Sequence, residues 1–176
     1  AAMKNFHYAY YTIPGDRDLF NGTASLYMEY SGRKRFYSFN YGSMHFITLD
    51  TSAADDDFID DIQTEWLKKD LENFHGSNAI FVFFHRPFLS TRKKGVMYPV
   101  PEGLHKIFTE FRVKAVFSGG DKTYGSSIYD SVRYIQAGCS GYIDEKDNRR
   151  TNQYYIVNYL NGEFDIKAGK TGFTRK

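Results

Sequence analysis

Residues 79–87 read Ala79-Ile80-Phe81-Val82-Phe83-Phe84-His85-Arg86-Pro87, and this stretch decides the fold. The apolar run from Ile80 to Phe84 is too short for a helix, and its aromatic and β-branched content suits a strand covered on both faces. Such a strand lies in the interior of its sheet. Open α/β folds place ligands beyond the carboxyl ends of their strands, and the first residues beyond this one are His85, Arg86 and Pro87. His85 is therefore a candidate functional side chain; the bland alternative is a polar residue satisfied at a strand end.

Upstream of this strand, Ile59, Ile62, Trp66, Leu71 and Phe74 fall near one face of a helical pattern. Asp55, Asp56 and Asp57 stand at its start and Lys68 and Lys69 further along, the order a helix dipole prefers, and Gly76 stands where the helix stops. The aspartate triplet lacks the alternating ligands, glycine and glutamate of a calcium loop, so it reads as a solvated helix start. Before it, residues 37–40 and 44–50 are strand-like runs separated by Tyr41-Gly42-Ser43, the spacing of a hairpin. Residues 8–13 read as a further short strand that stops at Pro14-Gly15 and runs into Asp16, Arg17 and Asp18.

Downstream, Pro101 opens a shorter helix carrying Leu104, Ile107, Phe108 and Phe111. Residues 113–117 form the next apolar strand and lead into Ser118-Gly119-Gly120-Asp121-Lys122-Thr123-Tyr124, a second strand-end loop whose glycines let backbone approach a ligand. Residues 132–137 give another strand. Residues 153–160 and 163–166 read as a hairpin about Asn161-Gly162, the strongest short turn signal in the chain.

The chain has 176 residues and an apolar fraction of 41%, enough for one domain with a real core, and no second domain is suggested across 1–176. Its net charge of +2 argues against a nucleic-acid or membrane protein that works by bulk charge, and no run approaches the roughly 18 apolar residues of a membrane helix. Neither nucleic acid nor membrane is expected as a partner. Cys139 is the one cysteine, which excludes an internal disulfide and a cysteine zinc cluster. The 16 Phe and 15 Tyr fit a strand-rich core better than a ligand-stacking surface.

Three loops thus follow predicted strands, and at these loops the sequence resembles the calcineurin-like metallophosphoesterase family. P-G-D-R-D at 14–18 stands where that family has P-G-N-H-D, F-F-H-R-P-F at 83–88 where it has a histidine just before a proline, and S-G-G-D-K-T-Y at 118–124 where it has S-G-H-D-H-x-Y. The runs at 37–52 and 63–72 resemble the same family's connecting strand pair and helix, so the likeness covers most of residues 8–141 in order. It implies an α/β fold, a mixed β-sheet sandwich flanked by helices, similar to the later half of the family's fold. It also implies a two-metal phosphoester hydrolase, in which a divalent pair of Mn, Fe or Zn clamps the phosphoryl oxygens and generates hydroxide.

The departures from the pattern point elsewhere. By the resemblance, His85 matches a ligand histidine, Asp16 replaces a ligand asparagine, Arg17 replaces a histidine, and Gly120 and Lys122 replace two ligand histidines. Glycine has no side chain to coordinate with, and fixed cations at Arg17 and Lys122 repel divalent ones. The expectation is a degenerate, non-catalytic domain with no metal cofactor, binding a phosphate-like anion through Arg17, Lys122, Gly119 and Gly120, or binding a protein. Its rival is a working phosphohydrolase with Asp16 and His85 as metal ligands, completed by a preceding segment or a second chain. The family's earlier blocks, D-x-H and G-D-x-x-D, have no counterpart in 1–176, so such a segment or partner chain is expected to cover an exposed edge of the central strand.

Overall fold

The computed structural model describes residues 7–52, 58–86, 100–120, 125–137, 150–160 and 163–173. Within them lie three α-helices, α1 (Ser25–Ser31), α2 (Asp61–Phe74) and α3 (Glu102–Glu110). The strands are β1 (Tyr37–Tyr41), β2 (Met44–Thr48), β3 (Ala79–Phe84), β4 (Ala115–Ser118), β5 (Gly125–Tyr129), β6 (Val132–Gln136), β7 (Arg150–Leu160) and β8 (Glu163–Phe173). Six of them form one mixed sheet in the order β1-β2-β3-β4-β6-β5, and β7 and β8 form a separate antiparallel pair. Strands β2, β3, β4 and β6 run parallel, with β1 and β5 antiparallel at the two edges. The fold is mixed α/β, as the sequence leads one to expect.

The apolar run of β3 occupies the interior of this sheet, between β2 and β4. Right-handed crossovers through α2 and α3 that step in one direction, β2 to β3 to β4, set both helices on the same face. On that face Ile80, Val82 and Phe84 join Leu67 and Leu71 of α2 and Leu104, Ile107 and Phe108 of α3 in one apolar cluster. On the other face Phe81 joins Ala115, Phe117 and Ile135, with Tyr155 of β7 and Ile166 of β8 packed against them. Burying a side chain such as Phe81 or Phe84 contributes about 2–3 kcal/mol each. Strand β3 is paired on both sides, which corrects the expectation of an exposed edge on the central strand; among the described residues the sheet ends at β1 and β5.

Three local readings differ from the structure. Residues 8–13 form no strand; side chains hold them instead, the Thr12 carbonyl accepting from the Tyr27 and Tyr37 hydroxyls at 2.8 Å each while Tyr11 stacks on Phe39 at 3.5 Å. In α2, Ile62 is 72% exposed and Gln63 is buried. The Gln63 amide accepts from the Asp50 N–H at 2.9 Å and donates to the Asp50 carbonyl at 2.8 Å, and this pairing sets the rotation of the helix. The Asp60 carboxylate caps α2 by accepting from the Gln63 N–H at 2.7 Å; Asp55, Asp56 and Asp57 lie outside the described residues. Strand β5 was not foreseen. It joins β6 through Asp130-Ser131, both at positive φ (44° and 68°), the backbone of a two-residue hairpin turn.

The β7–β8 pair is longer than its sequence signal, and Asn161-Gly162 lie outside the described residues. Tyr154 pairs across it with Gly169, and the tyrosine ring lies so close over the glycine that a Cβ there would overlap it.

Two histidines without a motif turn out to be structural. His45 on β2 is fully buried, its ring nitrogens 2.7 Å from Asn40 Oδ1 and 2.8 Å from Asp70 Oδ2, with Phe74 stacked on it. His105 on α3 is 2.6 Å from the Tyr134 hydroxyl and 3.2 Å from Asp130 Oδ2, tying α3 to the β5–β6 turn. His45→Leu removes one bond from the half-buried Asp70 carboxylate, which keeps Ser38, and one from the exposed Asn40, and urea unfolding is expected to show a loss of about 1–2 kcal/mol.

Burial, and then the Asp130 and Tyr129 charges, push the Tyr134 phenol well above its ordinary range, and burial raises Tyr27 and Tyr37 in the same direction. With the folded pKa above the unfolded value of about 10, stability is fully present below about pH 10 and falls as pH rises through the alkaline range. Tyr134→Phe is expected to lower stability at neutral pH, because His105 loses a partner, and to flatten part of the alkaline decline measured by urea midpoints above about pH 10.

Candidate functional site at the carboxyl edge of the sheet

The parallel strands β2, β3, β4 and β6 end at one edge, and backbone bonds continue past the formal strand ends. Leu49 donates to the Phe83 carbonyl at 2.8 Å, Gly119 to His85 at 3.2 Å, and Ala137 to Ser118 at 2.8 Å. These bonds bring the Pro14-Gly15 turn, the His85 loop and the Ser118-Gly119 loop into one group, because His85 also meets the first of them. His85 Nε2 lies 3.2 Å from Asp16 Oδ1. Gly15 makes the approach possible: a Cβ on it would sit 3.1 Å from the imidazole ring.

Asp16, Arg17 and Asp18 form a short 3-10 turn that the Asp18 carboxylate closes by accepting from the Gly15 N–H at 2.8 Å. Asp18 is thus a turn residue. The Asp16 side chain is 71% exposed and that of His85 32%, so their ion pair is weak in water and screened by salt. Arg17 is exposed. The Gly119 N–H is committed to the His85 carbonyl, whereas Gly120 stands at φ +74°. Lys122 lies outside the described residues, as do Pro87, the Arg92-Lys93-Lys94 group and Cys139.

Several residues at this edge gave no sequence signal of a role. Arg86 donates its N–H to Thr51 Oγ1 at 2.9 Å and holds its guanidinium 5.1 Å from the Phe58 ring, which fixes the chain direction just beyond His85. Asp50 is buried, accepts from the Ser52 N–H and hydroxyl through Oδ1, and has Arg35 Nη1 3.5 Å from Oδ2. That distance supplies charge but no hydrogen bond, and among the described residues Oδ2 has no other partner. Arg35 also bonds Asp60 at 3.1 Å, so it links the end of β2 to the cap of α2. Beside His85, a cleft of about 380 Å³ opens between the sheet and the β7–β8 pair, lined by Phe83, Phe117, Ser118, Tyr154 and Tyr155 among others.

Among the described residues at the edge, Asp16 and His85 are the ligand-type side chains that match a ligand position of the pattern, and they lie 3.2 Å apart; Gly120 offers no side chain. Among the described residues no group of three or more His, Cys, Asp or Glu side chains is arranged to hold a metal ion.

The solved structures that match this chain include a purple acid phosphatase. That protein, isolated from yellow lupin (Lupinus luteus) seeds, matches over 60% of this chain and 23% of its own, at 17% identity and a TM-score of 0.49. GAP50, the anchor in the inner membrane complex of Plasmodium, matches over 58% of this chain and 36% of its own, at 21% identity and a TM-score of 0.43. The chain therefore spans well under half the length of either structure. No family model matches the sequence, and no curated protein matches it.

The backbone at Gly15, φ −110° and ψ 175°, suits any residue, so Gly15→Ala acts by contact alone. The added methyl displaces a half-buried ring that can yield toward solvent, and the expected result is a shift of the His85 imidazole signals in nitrogen-detected NMR with about 1 kcal/mol or less of destabilisation. Unmoved His85 signals would contradict the contact.

Proposed function

We propose that the chain is a metallophosphoesterase-like domain whose site has lost two-metal hydrolysis and binds a phosphate-like anion. The observation that carries the reading is the Asp16–His85 pair: the two side chains that match ligand positions in the sequence pattern lie 3.2 Å apart and face each other. Gly120 cannot replace a ligand side chain, and no added segment changes an internal position. Removing several ligands from a binuclear site removes both the hydroxide and the phosphoryl clamp.

Cations fit an anion at the same edge. Arg17 is exposed and next to Asp16, its planar fork matches phosphate geometry, and the turn at Gly120 can offer backbone donors. Lys122 completes the cationic set in this reading, following Gly120 in sequence by two positions.

Phosphate or sulfate titrated calorimetrically into the chain is expected to bind, and Lys122→Glu or Arg17→Ala to weaken binding about tenfold. With manganese or zinc added, hydrolysis of an aryl phosphate or a phosphodiester is expected to stay at background. Stoichiometric bound metal, with turnover abolished by His85→Ala, would establish the rival reading of a working phosphohydrolase.

A further inference from the structure

We propose that the turn Phe20-Asn21-Gly22-Thr23 is an acceptor site for an N-linked glycan whose first sugar packs on the Phe20 ring. Asn21-Gly22-Thr23 is the one Asn-x-Ser/Thr triplet in the 176 residues, and the structure adds a geometry that the triplet alone does not specify. Asn21 and Gly22 stand at φ 50° and 72°, the backbone of a type I′ turn. Phe20 and Thr23 close that turn by exchanging backbone bonds at 2.9 and 3.1 Å. All four residues are exposed, and a Cβ built on Gly22 would meet nothing within 4 Å. The turn therefore stands clear of the fold and leaves room for a bulky saccharide.

The second ground is Phe20 itself. Its ring is 57% exposed, and the first sugar on Asn21 begins one residue away from it. Directly opposed residues of an antiparallel pair project to one face, so Phe20 and Thr23 flank the turn on the same side. The C–H groups of a pyranose ring complement the negative face of an aromatic ring, and covering Phe20 in this way removes apolar surface from water. Thr23 supplies the hydroxyl that the triplet requires, and its Oγ1 donates to the Phe20 carbonyl at 3.1 Å, which joins aromatic and acceptor in one unit. The donor is a lipid-pyrophosphate oligosaccharide of the secretory route. Asn21 Nδ2 bonds to C1 of the first sugar, and the C1–oxygen bond to the lipid pyrophosphate breaks. The pyrophosphate leaves with that electron pair, and the amide gives one proton to a base of the transferase. This inference does not rest on anion binding, because none of its residues is Arg17, Lys122 or Gly120.

The test compares the full chain secreted from insect cells with the same chain made in bacterial cytosol, which carries no glycan. Intact-mass and peptide analysis are expected to show Asn21 occupied, with occupancy lost in Thr23→Ala and kept in Thr23→Ser, which preserves the hydroxyl. After the glycan is trimmed to a single N-acetylglucosamine, its N-acetyl methyl proton signal is expected to lie upfield of its position in the urea-unfolded chain, moved by the Phe20 ring current. Phe20→Leu is expected to abolish that shift in the occupied fraction. The single sugar is expected to raise the thermal midpoint by about 2–4 °C over the bare chain, and Phe20→Leu to remove most of the gain. An unmodified Asn21, or occupancy that survives Thr23→Ala, would overturn the acceptor site. An unshifted methyl signal, or a midpoint gain untouched by Phe20→Leu, would overturn the packing of the sugar on Phe20.

Discussion

A strand with no polar face must be covered twice, and that requirement on β3 governs the arrangement of everything around it. Its residues alternate between two apolar clusters, so one layer is needed on each side of the sheet. Two crossovers stepping the same way supply α2 and α3 to one side only. The opposite side is left for a different kind of layer, and the β7–β8 pair fills it with Tyr155 and Ile166. The cleft beside His85 lies where that second layer meets the strand ends, so the site and the core have a common origin in the lack of polarity of β3.

Elements whose signal is local were legible in the sequence. The hairpin of β1 and β2, the existence of α2 and α3, and the strands β3, β4 and β6 all follow from runs and turns within a few residues. What was not legible depends on partners far along the chain. Residues 8–13 carry the tyrosines of a strand, yet their carbonyl at Thr12 is claimed by hydroxyls from Tyr27 and Tyr37, and side-chain capture replaces a ladder. The rotation of α2 is set by Gln63 reaching Asp50, a polar pairing that overrides the apolar pattern containing Ile62. His105 has no neighbour in sequence that predicts its role; Tyr134 and Asp130 reach it from 29 and 25 positions away.

At the site, the sequence pattern pointed to His85 and Asp16 as neighbours, and the structure brings them together. It did not reveal that Gly15 backs the imidazole or that the Gly119 amide is spent on the His85 carbonyl, because both facts depend on angstrom-scale distances between loops. Ser118 was visible as the end of a strand and nothing more.

The ring of Tyr154 lying across Gly169 has a consequence for how this sequence can change over generations. A side chain at Gly169 requires the outer end of the Tyr154 ring to swing aside, and loss of the tyrosine bares a glycine in the middle of a strand, where its backbone freedom works against order. The effect of a change at either position therefore depends on the residue at the other, which couples the two across the pair.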